Sequence, residues 1–214
     1  MQGIFMLTLY YSPGACSLAS HIILEALGEP YQTIRVDLKK HVTENGENFY
    51  EITLAGAVPV LILPDKTVLT QNTAVLVYLG EQDKTHQLIP KVNTIERFRC
   101  HEWLGLISAD LHKPFGPLFN AAAYSDNEET QKNLQERAKK IITKVLSIIE
   151  KKLTPHQFAL GENFTIIDAY LFVFYRWLKH FKFALEETCP LFFALCRNVE
   201  KLEAVKTALE KEGF

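Results

Sequence analysis

The sequence predicts a mixed α/β first domain followed by an all-helical second domain. Strand-like and helix-like segments alternate over the first 80 residues, whereas only helical patterns follow Thr94. A polar stretch at residues 81–93, which contains Pro90, separates the two regions, and this composition is typical of a linker. We therefore expect one domain at residues 1–83 and a second at residues 94–214.

Composition disfavours several classes of protein. Of the 214 residues, 48% are hydrophobic, too many for a disordered chain, and the net charge of -2 lacks the basic excess of a nucleic-acid-binding protein. The start of the chain lacks the pattern of a secretory signal, and no apolar run approaches the roughly 20 residues of a membrane helix. The four cysteines are widely spaced: Cys16, Cys100, Cys189 and Cys196. We expect a cytoplasmic protein with reduced thiols and no nucleic-acid or membrane partner.

Apolar patterns and turn residues predict the elements of the first domain. Strands are expected at residues 5–11, 31–38, 58–63 and 67–70, and helices at residues 15–27 and 71–79. Gly28 is a natural helix stop, and Pro64-Asp65-Lys66 predicts a tight hairpin turn. The polar residues 39–48 are assigned as an irregular helix. This order predicts a parallel strand pair joined by a helix, then a hairpin, in one mixed sheet.

The second domain shows long helical patterns and one well-defined helix start. Helices are predicted at residues 95–112, 128–153, 166–181 and 190–211. Thr165 and Asp168 have the spacing of a capping box, with Phe164 at the staple position. We assign this motif a structural role.

Cys16 follows Ser12-Pro13-Gly14 in the first turn of the first predicted helix. The unpaired N–H groups and the positive partial charge of a helix N-terminus favour a thiolate, so a reactive thiol with a lowered pKa is one interpretation. The other is a small buried residue at a helix start, since free cysteines are often buried. The residues alone leave both interpretations open.

Two further features of the first domain suit a ligand, although each has a simpler explanation. A cis Val58–Pro59 bond would turn the backbone toward a bound peptide, but trans bonds are far more common. Thr70, Gln71 and Asn72 open a helix whose N-terminus can bind an anion. Thr70 or Asn72 would equally serve as a helix cap.

The predicted helix 95–112 has two faces. An apolar stripe predicts its core side and consists of Cys100, Leu104, Ile107 and Leu111. A small, polar stripe lies beside it, either lining a crevice or facing solvent, and consists of His101, Gly105, Ser108 and His112. Lys113 precedes Pro114, which predicts the end of the helix and places His112 and Lys113 at the mouth of any crevice.

Five segments form a recognisable set of motifs. They are YYSPGACSLASHIILEALG (10–28), AGAVPVLIL (55–63), QNTAVLVYLGEQ (71–82), EWLGLISADLHKPFGPLF (102–119) and FTIIDAYLF (164–172). Together they resemble the bacterial beta-class glutathione transferases over nearly the whole chain. The resemblance implies a thioredoxin-like glutathione-binding domain, a helical domain that contributes the hydrophobic substrate site, and a homodimer.

The resemblance also implies roles for particular residues. Cys16 would face the sulfur of glutathione, Val58 and the cis Pro59 would meet its cysteinyl part, and Gln71 and Asn72 would bind its γ-glutamyl end. The second domain would place His112 and Lys113 near the thiol and the electrophile. Candidates for the hydrophobic site are Phe115, Phe119 and Trp177.

Four residues depart from the family pattern. Gln71-Asn72 stands where the family commonly has Glu-Ser, and Gly105 replaces a common asparagine. His41 takes the place of a lysine that often meets the glycyl end of glutathione, so His41 is carried over as a candidate binding residue.

Two classes of function fit this set of residues. The first is an enzyme that conjugates glutathione to hydrophobic electrophiles, with monothiol disulfide exchange through Cys16 at the same site as a further activity. The alternative is a non-catalytic ligand carrier or a regulatory partner in stress or transcription. The joint presence of the matched residues favours the enzyme, with glutathione as co-substrate and without a cofactor or a metal.

Overall fold

The computed structural model describes residues 6–214 and contains one five-stranded mixed sheet. Its strands are β1 (Leu7–Tyr11), β2 (Tyr31–Asp37), β3 (Val42–Thr43), β4 (Val60–Ile62) and β5 (Val68–Thr70), in the order β3-β2-β1-β4-β5. β1 and β2 are parallel, and the other neighbouring pairs are antiparallel. The predicted mixed sheet and its β4–β5 hairpin are confirmed; Phe5, at the predicted start of the first strand, lies outside the described residues.

Two α-helices accompany the sheet, α1 (Leu18–Leu27) and α2 (Asn72–Gln82), together with a short 3-10 helix at Phe49–Glu51. Gly28 ends α1 in the left-handed conformation, with φ 69°, which glycine adopts without the steric cost that other residues pay. The prediction of a helix from residue 15 is wrong at its start. Residues 12–17 form successive turns instead, in which Ser12 and Ala15 accept backbone hydrogen bonds from Ala15 and Leu18.

The predicted irregular helix at residues 39–48 is also wrong, since the described chain forms β3 there. One carboxylate oxygen of Asp37 accepts hydrogen bonds from the amides of Lys39 and Lys40 at 2.9 and 3.1 Å. An aspartate that binds the backbone two residues on favours a turn over a helix. The chain therefore reverses, and β3 pairs with the end of β2.

The regular structure after residue 94 is helical, apart from an isolated β-bridge between Phe158 and Gly161. Its α-helices are α3 (Ile95–Gly105), α4 (Gly116–Phe119), α5 (Glu128–Lys152), α6 (Ile166–His180), α7 (Leu185–Thr188), α8 (Pro190–Val199) and α9 (Glu203–Glu212). The predicted helix 95–112 is divided, because a π-helix at Leu106–His112 follows α3. The predicted helix 190–211 is divided into α8 and α9, because Leu202 has an extended backbone, with ψ 138°.

Helix α1 connects the sheet to the helical domain. It contacts α2, α6 and α9, and Leu18, Ala19, Ile22 and Ile23 are fully buried. Because α1 packs between α2 of the sheet domain and α6 and α9 of the helical domain, its position is fixed. The turn that precedes α1 is therefore held next to the helical domain. Among residues 6–214, no helix has the length and apolar character needed to cross a membrane.

The capping box at the start of α6 is confirmed. The fully buried Asp168 carboxylate accepts hydrogen bonds from the Thr165 amide and hydroxyl, both at 2.8 Å, and from the Ala159 amide at 2.7 Å. The carboxylate thus joins the preceding loop to the helix that crosses the centre of the domain.

Candidate active site

A cavity of about 530 Å³ lies between the sheet domain and the helical domain. It is lined by ten of the eleven candidate residues: Cys16, Val58, Pro59, Gln71, Asn72, His112, Lys113, Phe115, Phe119 and Trp177. These residues come from distant parts of the sequence, which therefore meet at one place. They belong to the turn before α1, the residues before β4, the start of α2, the π-helix, the 3-10 helix Lys113–Phe115, α4 and α6.

The turn that carries Cys16 is held from several sides. The Ser17 hydroxyl accepts a hydrogen bond from the Ser12 amide at 3.2 Å. The helical domain holds Gly14 at both backbone groups, because its amide donates to the Glu212 carboxylate at 2.7 Å and its carbonyl accepts from the Trp177 indole at 2.8 Å. The position of Cys16 therefore depends on contacts between the domains.

The Cys16 thiol donates a hydrogen bond to the Val58 carbonyl, with 3.2 Å between sulfur and oxygen. Burial raises the pKa of this thiol to about 12, and the backbone N–H groups of Cys16 and Ser17 offset that effect only in part. The expectation of a lowered pKa is wrong, because Cys16 precedes α1 by two residues and loss of water outweighs the favourable N–H groups. The side chain is a protonated thiol at neutral pH.

The Val58–Pro59 bond is cis, as one of the two interpretations allowed.

The capping explanation for the start of α2 is wrong, because the residue at the cap position is Gln71, with φ 70°, and no side chain caps the helix. The Asn72 carbonyl oxygen instead accepts a hydrogen bond from the Ser20 hydroxyl at 2.8 Å. Its amide nitrogen is buried in the described chain without a hydrogen-bond partner, which leaves a donor for a ligand.

His112 ends the π-helix and is packed among aromatic side chains of α6. Its ring centre lies 5.3 Å from those of Phe174 and Trp177, and its Nδ1 lies 3.2 Å from the Tyr170 hydroxyl. Burial lowers the pKa of His112 to about 4, so its imidazole is neutral at neutral pH. Lys113, the next residue, is exposed and supplies the positive charge at the mouth of the cavity.

The stripe predictions for this helix are confirmed only in part. All four apolar residues of the predicted core stripe are buried. Of the polar stripe, His112 lines the Cys16 cavity, His101 and Gly105 line a separate groove beside α2, and Ser108 lines both. The π-helix begins directly after Gly105 and contains Ser108 and His112. It therefore breaks the helical periodicity on which the prediction rested, and such segments are frequent at functional sites.

The outer wall of the cavity is aromatic. Phe119 is 53% exposed and packs edge-on against Trp177 with 4.9 Å between ring centres, while Phe115 is almost fully buried behind them. A second cavity of about 850 Å³ shares Cys16 and Trp177 with the first and extends to residues 35–39, which include Arg35 and Lys39.

His41 does not line either cavity. Its ring centre lies 4.5 Å from that of Tyr50, and its Nδ1 is buried without a hydrogen-bond partner in the described chain. His41 is thus the one candidate outside the lining of the first cavity, and it lies behind Gly56, which lines the second.

Sequence reasoning missed Tyr170, which also lines the cavity. Its signal was present, because Tyr170, Phe174 and Trp177 have the i, i+4, i+7 spacing of one helix face and only the first has a hydroxyl group. Glu212 was missed as well, and no local pattern distinguishes it from other charged residues near the end of the chain.

A thioredoxin-like sheet with a cysteine before α1 and a cis-proline facing it, joined to a helical domain, defines the glutathione transferase fold. Family models agree: the glutathione S-transferase N-terminal domain matches residues 14–82, and the C-terminal domain matches residues 109–212. The chain belongs to the glutathione S-transferase family.

Individual relatives support the same assignment. Glutathione S-transferase GstA of Escherichia coli O157:H7 is 37% identical over 206 residues, which cover 96% of this chain and 98% of that protein. A bacterial beta-class enzyme from Sphingomonas chungbukensis superposes with a TM-score of 0.86 at 32% identity, covering 96% of this chain and 98% of its own. A sphingomonad glutathione S-transferase solved in complex with glutathione superposes with a TM-score of 0.87 at 32% sequence identity. The match covers 97% of this chain and 99% of that one. The resemblance to the bacterial beta class is confirmed.

Proposed function

We propose that this protein conjugates glutathione to small hydrophobic electrophiles in the Cys16 cavity. The observation that carries the proposal is the convergence of a thiol, an unpartnered amide and an aromatic wall on one cavity. A ligand with a thiol, a carboxylate and a peptide backbone would use the first two, and an apolar co-substrate would use the third.

Glutathione would lie across the cavity with its γ-glutamyl end at the start of α2. The Asn72 amide nitrogen and the helix N-terminus offer donors to its carboxylate, and Gln71 would accept from its amine. The Val58 backbone would pair with the cysteinyl residue and place the sulfur beside Cys16. Because the Val58 carbonyl now accepts from Cys16, glutathione would share or take over that acceptor and leave the Cys16 S–H to donate to the incoming sulfur.

Catalysis requires that the glutathione thiol lose its proton, since the thiolate is the nucleophile. Cys16 and a neutral His112 would each donate a hydrogen bond to the thiolate, and Lys113 would add positive charge. The proton passes to solvent. The thiolate sulfur then forms a bond to the electrophilic carbon. In an aryl halide the halide departs with its bonding electrons, whereas in an isothiocyanate or an unsaturated carbonyl compound the displaced electron pair moves within the electrophile, which then takes up a proton from solvent. Phe119 and Trp177 would hold the apolar electrophile beside the sulfur.

The raised pKa of Cys16 disfavours disulfide exchange as the principal activity. Attack on a disulfide needs the thiolate, which a half-buried thiol with a pKa of about 12 scarcely forms at neutral pH. The site is better suited to stabilise a thiolate on glutathione than to form one on the protein.

Two measurements distinguish the enzyme from a carrier. The intact protein should be retained on glutathione resin and should conjugate glutathione to a chlorodinitrobenzene. Retention without conjugation identifies a binding protein, and the absence of both overturns the proposal. A panel of aryl halides, isothiocyanates and unsaturated carbonyl compounds would then define the electrophile class.

We propose residues 1–83 as the glutathione-binding domain, residues 94–214 as the domain that contributes the electrophile site, and the cytoplasm as the compartment. We also propose a homodimer. Leu54, Ile95 and Phe98 are large apolar side chains that are 96%, 63% and 63% exposed, and association would remove such groups from water. Light scattering at micromolar concentration should give twice the mass of the chain; a monomer mass contradicts the dimer.

A further inference from the structure

Tyr170 is a buried polar group that the proposed mechanism does not use. It lies on α6 with 1% of its surface exposed, and its hydroxyl lies 3.2 Å from His112 Nδ1. A hydroxyl buried among aromatic rings is costly unless it is hydrogen-bonded, so its arrangement with His112 is constrained. The direction of this hydrogen bond depends on the tautomer of His112.

The surroundings of the phenol oxygen determine that direction. Burial raises the pKa of Tyr170, so the phenol keeps its proton, and the Asn72 amide opposes this effect from the other side. Ser20 donates to the Asn72 carbonyl oxygen at 2.8 Å, so the group of Asn72 that acts on the phenol oxygen is its N–H₂ end. Because this end carries two hydrogens, one N–H can face the phenol while the other remains for glutathione. The phenol oxygen thus faces a donor, and His112 Nδ1 is the acceptor available to its proton.

The direction of this hydrogen bond fixes the proton on His112. Because the imidazole is neutral, an Nδ1 atom that accepts from Tyr170 requires the proton to reside on Nε2. In the described chain, no hydrogen bond engages Nε2, and His112 lines both cavities beside Cys16. The Nε2–H group is therefore available to a substrate.

We propose that Tyr170 is a positioning residue that holds His112 as the Nε2–H tautomer, so that the imidazole presents a hydrogen-bond donor to the sulfur of glutathione. The inference rests on the proposed conjugation reaction. In the other tautomer, Nε2 would present a lone pair to the thiolate, which repels it.

The test compares two matched substitutions on α6. Tyr170→Phe removes only the hydroxyl and keeps the aromatic packing, whereas Tyr175→Phe makes the same change at a buried tyrosine outside both cavities. For Tyr170→Phe we expect kcat to fall about three- to tenfold, with the KM for glutathione changed less than about twofold, because binding groups are untouched. Tyr175→Phe should retain the parental kcat and KM.

A double-mutant cycle separates positioning from simple structural support. If Tyr170 acts through His112, Tyr170→Phe should lower kcat in the parent but not in a His112→Ala background. An equal loss in both backgrounds, or a Tyr170→Phe variant with parental kcat, overturns the proposal.

A spectroscopic measurement needs neither a variant nor activity. Long-range proton–nitrogen NMR spectra of the intact protein at neutral pH should show His112 with a protonated Nε2 and an unprotonated Nδ1. A protonated Nδ1 overturns the inference even if conjugation is robust. If the protein proves inactive, the proposed function fails, but this spectrum still determines the direction of the Tyr170–His112 hydrogen bond.

Discussion

The raised pKa of Cys16 makes a quantitative prediction about its chemistry. With a pKa of about 12 rather than the ordinary 9.0, the thiolate fraction at neutral pH falls about a thousandfold, to roughly one part in 100,000. We therefore expect alkylation of Cys16 by iodoacetamide to be far slower than that of a free cysteine. Its rate should still increase with pH up to pH 10, without a plateau.

Mass spectrometry of peptides from partly alkylated protein measures this rate for each thiol. Cys16 should still be modified before the other three cysteines, because it is partly exposed whereas they are buried, and bound glutathione should protect it. Two matched variants test the role of Cys16 as a donor. Cys16→Ser keeps a hydrogen-bond donor and should retain most conjugation activity, whereas Cys16→Ala has no donor and should lose most of it. Rapid alkylation at neutral pH with an apparent pKa below 8 would refute the reasoning.

Three further predictions concern stability and binding. Asp168→Ala should lower the free energy of unfolding by about 2–4 kcal/mol in urea titrations, because it leaves the buried amides of Ala159 and Thr165 without their acceptor. Because burial lowers the pKa of His112 to about 4, the neutral side chain contributes fully to stability above about pH 6.5, and this contribution is lost as the pH falls toward 4. The free energy of unfolding of the parent, measured relative to that of His112→Asn, should therefore decrease by up to about 3 kcal/mol across that range. His41→Ala should leave the KM for glutathione within about twofold, since His41 lies outside both cavities; a tenfold increase would contradict this placement.

The elements were predictable where a single local pattern dominates. The hairpin followed from its turn residues, the C-terminus of α1 from Gly28, and the start of α6 from the spacing of Thr165 and Asp168. Prediction failed where a side chain redirects the backbone or the helical period changes. The turn built on Asp37 replaced a helix with β3. The π-helix that ends at His112 interrupts the polar stripe, and His101 and Gly105, which precede it, line a groove other than the Cys16 cavity.

The set of candidate site residues was also largely predictable, because motifs preserve residue types and spacings that the chemistry requires. The protonation states were not. The position of Cys16 near a helix start suggested a thiolate, and the polar stripe left the charge of His112 open. Both pKa values depend on how much water the second domain displaces.

The sequence by itself determined the family, the two-domain order and most of the residues that converge on the cavity. Only the tertiary structure decided that Cys16 is a protonated thiol that donates to Val58, that His41 lies apart, and that Tyr170 contacts His112. The physical reason is the distance along the chain over which each kind of interaction acts. Turns, caps and helix periods act between residues close in the chain, whereas desolvation and hydrogen-bond direction depend on groups that folding brings together, such as residues 112 and 170.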